Sequence, residues 1–170
     1  LKNTHFTNST GWPHEDLKTT AYDLIILTEA LINNFPKLYK LFVEKEFTFN
    51  NITQHNRNKL LWRDPSVDGL KTGHTEAAKY CLAASAQRAG MRLISVVLGA
   101  PSINARATQS QSLLNYGFRF FETHALYGQD YALIEKRVWY GAEKTLQLGV
   151  AEPVHVLSLI HISEPTRRIT

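Results

Sequence analysis

The chain contains a single cysteine, Cys81, which excludes an intrachain disulfide. Because Cys81 lies in an apolar, strand-like stretch, we expect it to be a small buried side chain. The longest apolar run, if Ser95 and Gly99 are allowed in it, covers residues 93–100 and is too short to cross a bilayer. The nineteen Lys and Arg residues are scattered without a basic run, which argues against a nucleic-acid partner.

What the sequence does have is a globular composition, with 44% hydrophobic and 20% charged residues and a net charge of +4. Its 170 residues are enough for one domain or for parts of two. The chain opens at Leu1 without a signal-peptide pattern, so we expect a fragment of a longer protein. Apart from His74, considered below, its histidines show no metal-ligand spacing, and we predict no metal site.

Hydrophobic periodicity predicts an α+β fold, an antiparallel sheet flanked by helices. A helix should begin near Thr20, which opens a capping box, and end before Pro36, which starts a short helix over residues 37–43. Asn50 and Asn51 separate the two strands of a hairpin, and residues 62–68 form a loop.

Three antiparallel strands follow, centred on residues 71, 80 and 93 and turning at Ala89-Gly90, with the first strand at the sheet edge. A helix over residues 103–116 comes next. Its expected buried side consists of Ala107, Leu113, Leu114 and Tyr116.

The character of the sequence changes after Phe121, where short alternating segments are broken by glycines. The predicted strands are residues 131–134, 138–140, 146–148 and 154–157. This pattern predicts a first domain over residues 1–121 and the start of an all-β domain over residues 122–156.

The tripeptide Lys71-Thr72-Gly73 is the strongest functional signal. It places a cation, a hydroxyl and a residue without a side chain in consecutive positions on the edge strand. This combination suits a site that holds a carboxylate while a substrate backbone lies alongside the strand. Lys-Thr-Gly is also the third element of the active-site set of penicillin-binding serine enzymes.

Several blocks around the tripeptide extend this similarity. They closely resemble bacterial D-alanyl-D-alanine carboxypeptidases, the low-molecular-weight penicillin-binding proteins of the serine S11 type. The resemblance runs from about Asn3 to Val156. It implies the later half of a penicillin-binding domain followed by the first strands of a β-rich C-terminal domain. The blocks are residues 44–50, 56–58, 60–62, 67–75, 91–95 and 117–122.

The resemblance also implies roles for individual residues. The tripeptide would bind the substrate carboxylate, and the backbone N–H of His74 would be an oxyanion-hole donor. Arg106 would pair with the terminal carboxylate, and Arg57 would be a second arginine near the site. Residue types alone leave alternatives open: a solvated Lys71, a surface helix residue at Arg106 and a structural hairpin contact at Arg57.

Two elements of the family set are missing. No serine is followed by lysine three positions later, so the nucleophile motif is absent. Ser102-Ile103-Asn104 matches Ser-x-Asn in letters, but it follows the tripeptide where the family element precedes it. We therefore interpret Ser102 as a helix-start serine and expect the chain to be inactive alone.

The resemblance implies a hydrolase of cell-wall synthesis that removes the terminal D-alanine from peptidoglycan pentapeptides and needs no cofactor. It also implies β-lactam binding and a location on the periplasmic side of the inner membrane, held there only through a C-terminal segment not present here. Two alternatives stay open: a fragment of a class A-like β-lactamase and a non-catalytic binding module of the cell envelope. Residues 157–170 do not continue the family pattern, and we expect them to be a non-native, disordered tail.

Overall fold

The computed structural model describes residues 1–129 and 131–160. The described residues divide between two compact units, Leu1–Phe118 and a second unit that begins at Arg119. Helices and antiparallel strands occur together, so the predicted α+β fold class is confirmed. None of the helices in the described ranges is both long and apolar enough to span a bilayer.

The elements up to the last helix follow one another in a simple order. They are α1 (Ala21–Asn34), α2 (Pro36–Tyr39), a 3-10 turn (Lys40–Val43), β1 (Glu46–Phe49), β2 (Ile52–His55), α3 (Leu60–Arg63), β3 (Val67–Thr75), β4 (Lys79–Arg88), β5 (Met91–Ala100) and α4 (Ile103–Phe120).

The start of α1 follows from its capping residue. Thr20 has an extended backbone, and its hydroxyl accepts a hydrogen bond from the Asp23 N–H at 3.1 Å. The buried Asp23 carboxylate accepts from the Asn3 N–H and the Thr4 hydroxyl, at 2.8 and 2.7 Å. Hydrogen bonding, led by that of Thr4, holds the pKa of Asp23 below its ordinary value. The predicted helix start is confirmed, and its cap also fastens the N-terminal segment.

The central sheet has the strand order β3-β4-β5 and is antiparallel throughout, as predicted. Among the described strands β3 has only one neighbour, so the tripeptide lies on an edge strand. Positive φ angles at Asn50 and Asn51 close the β1–β2 hairpin, and Ala89-Gly90 forms the turn between β4 and β5. These turn predictions are confirmed.

The buried side of α4 differs from the prediction. Ala107 and Leu114 are buried, but Leu113 and Tyr116 are 52% and 59% exposed, so their assignment to the core is wrong. The buried face instead contains Arg106 and Ser110. Residues 106, 107, 110 and 114 recur at the three- to four-residue spacing of one helix face, which the apolar pattern alone did not reveal.

Three smaller predictions are also corrected. Residues 62 and 63, predicted to open a loop, belong instead to the helical turn Leu60–Arg63. This turn forms because Leu60 and Leu61 pack into the core. Cys81 is only half-buried. The helix α4 continues to Phe120, four residues beyond its predicted end.

The second unit is built from two strand pairs. The strands are β6 (Phe121–Tyr127), β7 (Ala132–Arg137), β8 (Thr145–Gly149) and β9 (Val154–Leu159), and β6 pairs with β9 while β7 pairs with β8. Residues 138–140 were predicted as a strand but form none, and Tyr140 has a positive φ of 63°.

The end of β9 also corrects a prediction. Residues 157–159 belong to this strand and pair with residues 121–123 of β6, so the expected disorder is wrong for these three residues. Residues 161–170 lie outside the described residues.

A buried carboxylate, Asp64, joins three parts of the first unit. It is 7% exposed and accepts hydrogen bonds from Ser66, Arg88 and Gln111. The Arg88 and Gln111 bonds are 2.6 and 2.7 Å long and bring β4 and α4 to the start of β3. Burial alone would raise the pKa of Asp64, but these hydrogen bonds outweigh it and lower the pKa to about 2.

This network predicts a specific pH dependence of stability. The folded pKa of Asp64 lies below the unfolded value of about 3.9, so its contribution is complete above about pH 4 and is lost as the pH falls towards 2. We expect Asp64→Asn to lower the free energy of unfolding by about 2 kcal/mol at neutral pH and to flatten that dependence.

Urea unfolding at pH 7 and through the acid range measures both effects. The exposed Asp16 provides the matched control, and Asp16→Asn should leave the curve unchanged. Equal acid slopes for the wild type and Asp64→Asn would contradict this account of the network.

Candidate active site

All six residues predicted for the site line one cavity of about 690 Å3 in the first unit, which we call the cationic cavity. They are Arg57, Lys71, Thr72, Gly73, His74 and Arg106. The structure therefore brings together positions from the loop before α3, the edge strand β3 and the first turn of α4.

The tripeptide occupies the part of β3 where burial ends. Leu70 is buried, whereas Lys71, Gly73 and His74 are exposed. The Lys71 ammonium donates to the carbonyl of Thr72 at 2.5 Å and has no acidic partner among the described contacts. A Cβ built on Gly73 would meet only the Cβ of Cys81, at an ordinary 3.7 Å, so packing within the described chain does not demand glycine here.

Arg106 is the buried residue of the site, only 4% exposed. Its Nη1 donates to the carbonyls of Gly73 and Cys81 at 3.0 and 3.2 Å, and its Nη2 donates to the Arg57 carbonyl at 3.3 Å. We call these three bonds the Arg106 tie. Burial lowers the pKa of the Arg106 guanidinium. The alternative that Arg106 is an ordinary surface helix residue is wrong.

Local backbone geometry explains how Arg106 reaches these carbonyls. The Ser102 hydroxyl accepts from the Ala105 N–H at 3.0 Å and caps the first turn of α4, as its interpretation as a helix-start serine predicts. In the sheet, the β4–β5 register shifts between Tyr80 and Leu82, close to Gly99 with its φ of 72°. This β-bulge interrupts the ladder beside Cys81, whose carbonyl accepts from Arg106.

Arg57 contributes both its carbonyl and its side chain to the site. The carbonyl belongs to the Arg106 tie, while the exposed side chain lines the cavity. The next residue, Asn58, is buried and donates to the Gly69 carbonyl at 3.0 Å, which fixes this loop against β3. Sequence reasoning missed Asn58, although an Asn two residues before an apolar helical turn was a usable signal.

Sequence reasoning also missed Tyr80, which faces His74 across the β3–β4 ladder. The two rings lie with centroids 4.1 Å apart at an interplanar angle of 31°. The Arg106 guanidinium carbon is 5.7 Å from the Tyr80 ring centroid. Tyr80 therefore contacts both the edge strand and the buried arginine, and the period-2 pattern of the strands gave no hint of this.

The start of β3 is held by a second polar group. The Tyr39 hydroxyl donates to Asp68 at 3.0 Å, and Arg92 pairs with the same carboxylate at 2.8 Å. Burial, with a further contribution from Asp68, raises the pKa of Tyr39 to about 12. The strand is thus anchored before it enters the cavity.

The electrostatics of the cavity favour an anion. Three of its lining residues are Arg or Lys, and none of the described lining residues is Asp or Glu. In residues 1–129 and 131–160 there is no cluster of three or more His, Cys, Asp or Glu that would hold a metal ion. No serine lines the cavity in the described chain, so the arrangement offers anion binding without a serine nucleophile.

Comparisons with known proteins agree with this picture. Residues 1–102 match the family model of D-alanyl-D-alanine carboxypeptidase, and residues 121–158 match that of the penicillin-binding protein 5 C-terminal domain. The chain is 46% identical over 153 residues to the D-alanyl-D-alanine carboxypeptidase DacC of Escherichia coli, covering 89% of this chain and 38% of that protein.

Solved structures give the same result. Penicillin-binding protein 5 of Haemophilus influenzae matches with a TM-score of 0.86 at 41% identity, over 95% of this chain and 47% of that one. Penicillin-binding protein D2 of Listeria monocytogenes, in a cefotaxime-bound form, matches with a TM-score of 0.63 at 31% identity, over 68% of this chain and 48% of that one. The chain thus spans less than half the length of these relatives, and it belongs to the D-alanyl-D-alanine carboxypeptidase family.

Proposed function

We propose that this chain forms the carboxylate-binding half of the active site of a serine-type D-Ala-D-Ala carboxypeptidase acting on peptidoglycan stem peptides. The observation that carries the proposal is the cationic cavity, in which Lys71, Arg57 and Arg106 surround an edge strand without any described acidic lining residue. A peptide ending in D-alanine presents a free carboxylate, and fixed positive charge with aimed donors is what such a group requires.

The edge strand gives the ligand a backbone to pair with. An extended peptide adds to such an edge through main-chain hydrogen bonds, with its carboxylate directed to the cations. Gly73 suits this role because it has no side chain and no described neighbour fills the space that a Cβ would take. That space stays open for the ligand backbone. Thr72 is half-buried and lines the cavity, where its hydroxyl would donate to the carboxylate.

The chemical step is acyl transfer. A serine hydroxyl attacks the carbonyl between the two D-alanines, the terminal D-alanine leaves with a proton on its nitrogen, and water then releases the shortened peptide. The backbone N–H of His74 would stabilise the negative oxygen of the tetrahedral intermediate, a contribution of about 3–4 kcal/mol for a typical donor. The serine and its lysine would come from a Ser-x-x-Lys element, which this sequence does not contain.

Partners and location follow from the same assignment. β-Lactams would be ligands of the site, since the similar Listeria protein D2 has been solved in cefotaxime- and ampicillin-bound forms. An enzyme acting on peptidoglycan pentapeptides would work on the periplasmic side of the inner membrane. Residues 122–156 would begin a separate β-rich domain.

The missing nucleophile predicts a clear difference in penicillin labelling. We expect no covalent labelling of the 170-residue chain by a fluorescent penicillin, because no Ser-x-x-Lys element is present. The protein expressed from its complete reading frame should label with persistent acylation and should trim D-Ala-D-Ala peptides. Labelling of the 170-residue chain would contradict the proposal, and rapid penicillin hydrolysis by the complete protein would favour a β-lactamase.

Lys71→Ala tests the contribution of the tripeptide to turnover. We expect the complete enzyme to lose most of its carboxypeptidase activity, because the exposed ammonium supplies positive charge on the edge strand itself. Lys79→Ala is the matched control, since Lys79 is an exposed lysine at the far end of the β3–β4 turn. Equal kcat/KM values for the two variants would show that Lys71 does not contribute to turnover.

Arg106→Lys tests the buried cation while retaining its charge. A lysine cannot reproduce the planar fork that reaches three carbonyls, so we expect kcat/KM to fall about ten- to a hundredfold. The exposed Arg63 on α3 provides the control substitution Arg63→Lys, which should leave kcat/KM unchanged. Unaltered turnover in Arg106→Lys would show that the fork geometry is not needed.

A further inference from the structure

We infer that Tyr80 is a positioning residue of this site, which holds the oxyanion-donor segment of β3 and the carboxylate-binding guanidinium in one fixed arrangement. The inference rests on the proposed function and deepens it, because it names the group that links two separately assigned parts of the site.

The first contact of Tyr80 is with the edge strand. His74 and Tyr80 are direct cross-strand partners, and their ring centroids lie 4.1 Å apart. Directly opposed side chains are the pairs through which antiparallel strands stabilise each other. His74 is exposed, and it lies on a strand with no second described neighbour. The Tyr80 ring therefore restricts the part of β3 that carries the His74 N–H.

The second contact of Tyr80 is with the buried arginine. Its ring centroid lies 5.7 Å from the Arg106 guanidinium carbon, within the range in which an aromatic face attracts a cation. The residue after Tyr80 supplies one of the carbonyls of the Arg106 tie, so the ring and the carbonyl reach the guanidinium from adjacent positions of β4. No described carboxylate pairs with Arg106. The Tyr80 ring and the Arg106 tie are therefore the described contacts that orient its guanidinium.

Tyr80 also sits at the β-bulge. The β4–β5 register shifts between Tyr80 and Leu82, so the ladder beside Tyr80 is irregular. The contacts of the Tyr80 ring with the His74 imidazole and the Arg106 guanidinium add a restraint at this irregular point of the ladder. Moving this ring would shift the carboxylate-binding donor relative to the oxyanion donor, which is the spacing that a D-Ala-D-Ala terminus has to match.

The test compares two peptides on the enzyme expressed from its complete reading frame. One is an N-acylated peptide ending in D-Ala-D-Ala with a free carboxylate, and the other is the same peptide with a C-terminal amide. The ratio of their kcat/KM values reports how well the site recognises the carboxylate. A loss of folded protein would lower both values and leave their ratio unchanged.

We expect Tyr80→Leu to reduce this ratio about five- to tenfold, which lies between the losses typical of an exposed and of a fully desolvated cation–aromatic contact. Tyr80→Phe keeps the ring and should keep the ratio. Tyr22→Leu removes an exposed tyrosine of α1 and serves as the matched control. If Tyr80→Leu does not fold, His74→Ala removes the ring contact at an exposed side chain and should reduce the ratio in the same direction.

The outcomes separate this inference from the proposed function. A wild-type enzyme that cleaves neither peptide, or does not prefer the free acid, would overturn the proposed function together with the inference. If the wild-type enzyme prefers the free acid but the ratio is unchanged in Tyr80→Leu, or in its substitute His74→Ala, only the role of Tyr80 is overturned. An equal loss in Tyr80→Phe would assign the effect to the hydroxyl and would likewise reject the ring as the positioning element.

Discussion

A buried guanidinium bonded to three backbone carbonyls is the constraint on which this site depends. Removing a charged group from water is costly, and neutral carbonyls offset that cost only in part. Arg106 carries five N–H donors, and the Arg106 tie uses its two terminal nitrogens without neutralising its charge. The guanidinium of Arg106 is therefore fixed in orientation, and its positive charge has no described counterion. A ligand carboxylate would neutralise it.

Two other arginines of the first unit have a different kind of partner. Arg88 and Arg92 pair directly with Asp64 and Asp68, at 2.6 and 2.8 Å, and each pair joins elements of the fold. Their charges are satisfied within the chain, so they stabilise structure and offer little to a ligand. Of the three cations that line the cavity, Lys71 and Arg106 contact carbonyls instead. No described acidic partner neutralises their charge, which suits the ligand-binding role proposed for them.

The sequence predicted the parts of the structure that short-range rules control. The cap at Thr20, the turn at Asn50-Asn51 and the three-strand sheet follow from local residue preferences and periodicity. The tripeptide and Arg106 were predicted through family resemblance, and the structure brings them into one cavity. Leu113 was misassigned because an apolar residue beside the buried stripe looks like part of it. Tyr80 was missed because its contacts depend on a β-bulge and on a helix far along the chain.

The burial profile of β3 explains how an edge strand can stay ordered while its edge remains unpaired. Its first half is buried and clamped, by Asn58 on the Gly69 carbonyl and by Tyr39 on Asp68. Its second half is exposed but held again at Gly73 by Arg106. A strand fixed at both points has little conformational freedom left to lose when a peptide pairs with it. Because β4 is the only described strand beside β3, these interactions order β3 without a second strand pairing with its edge.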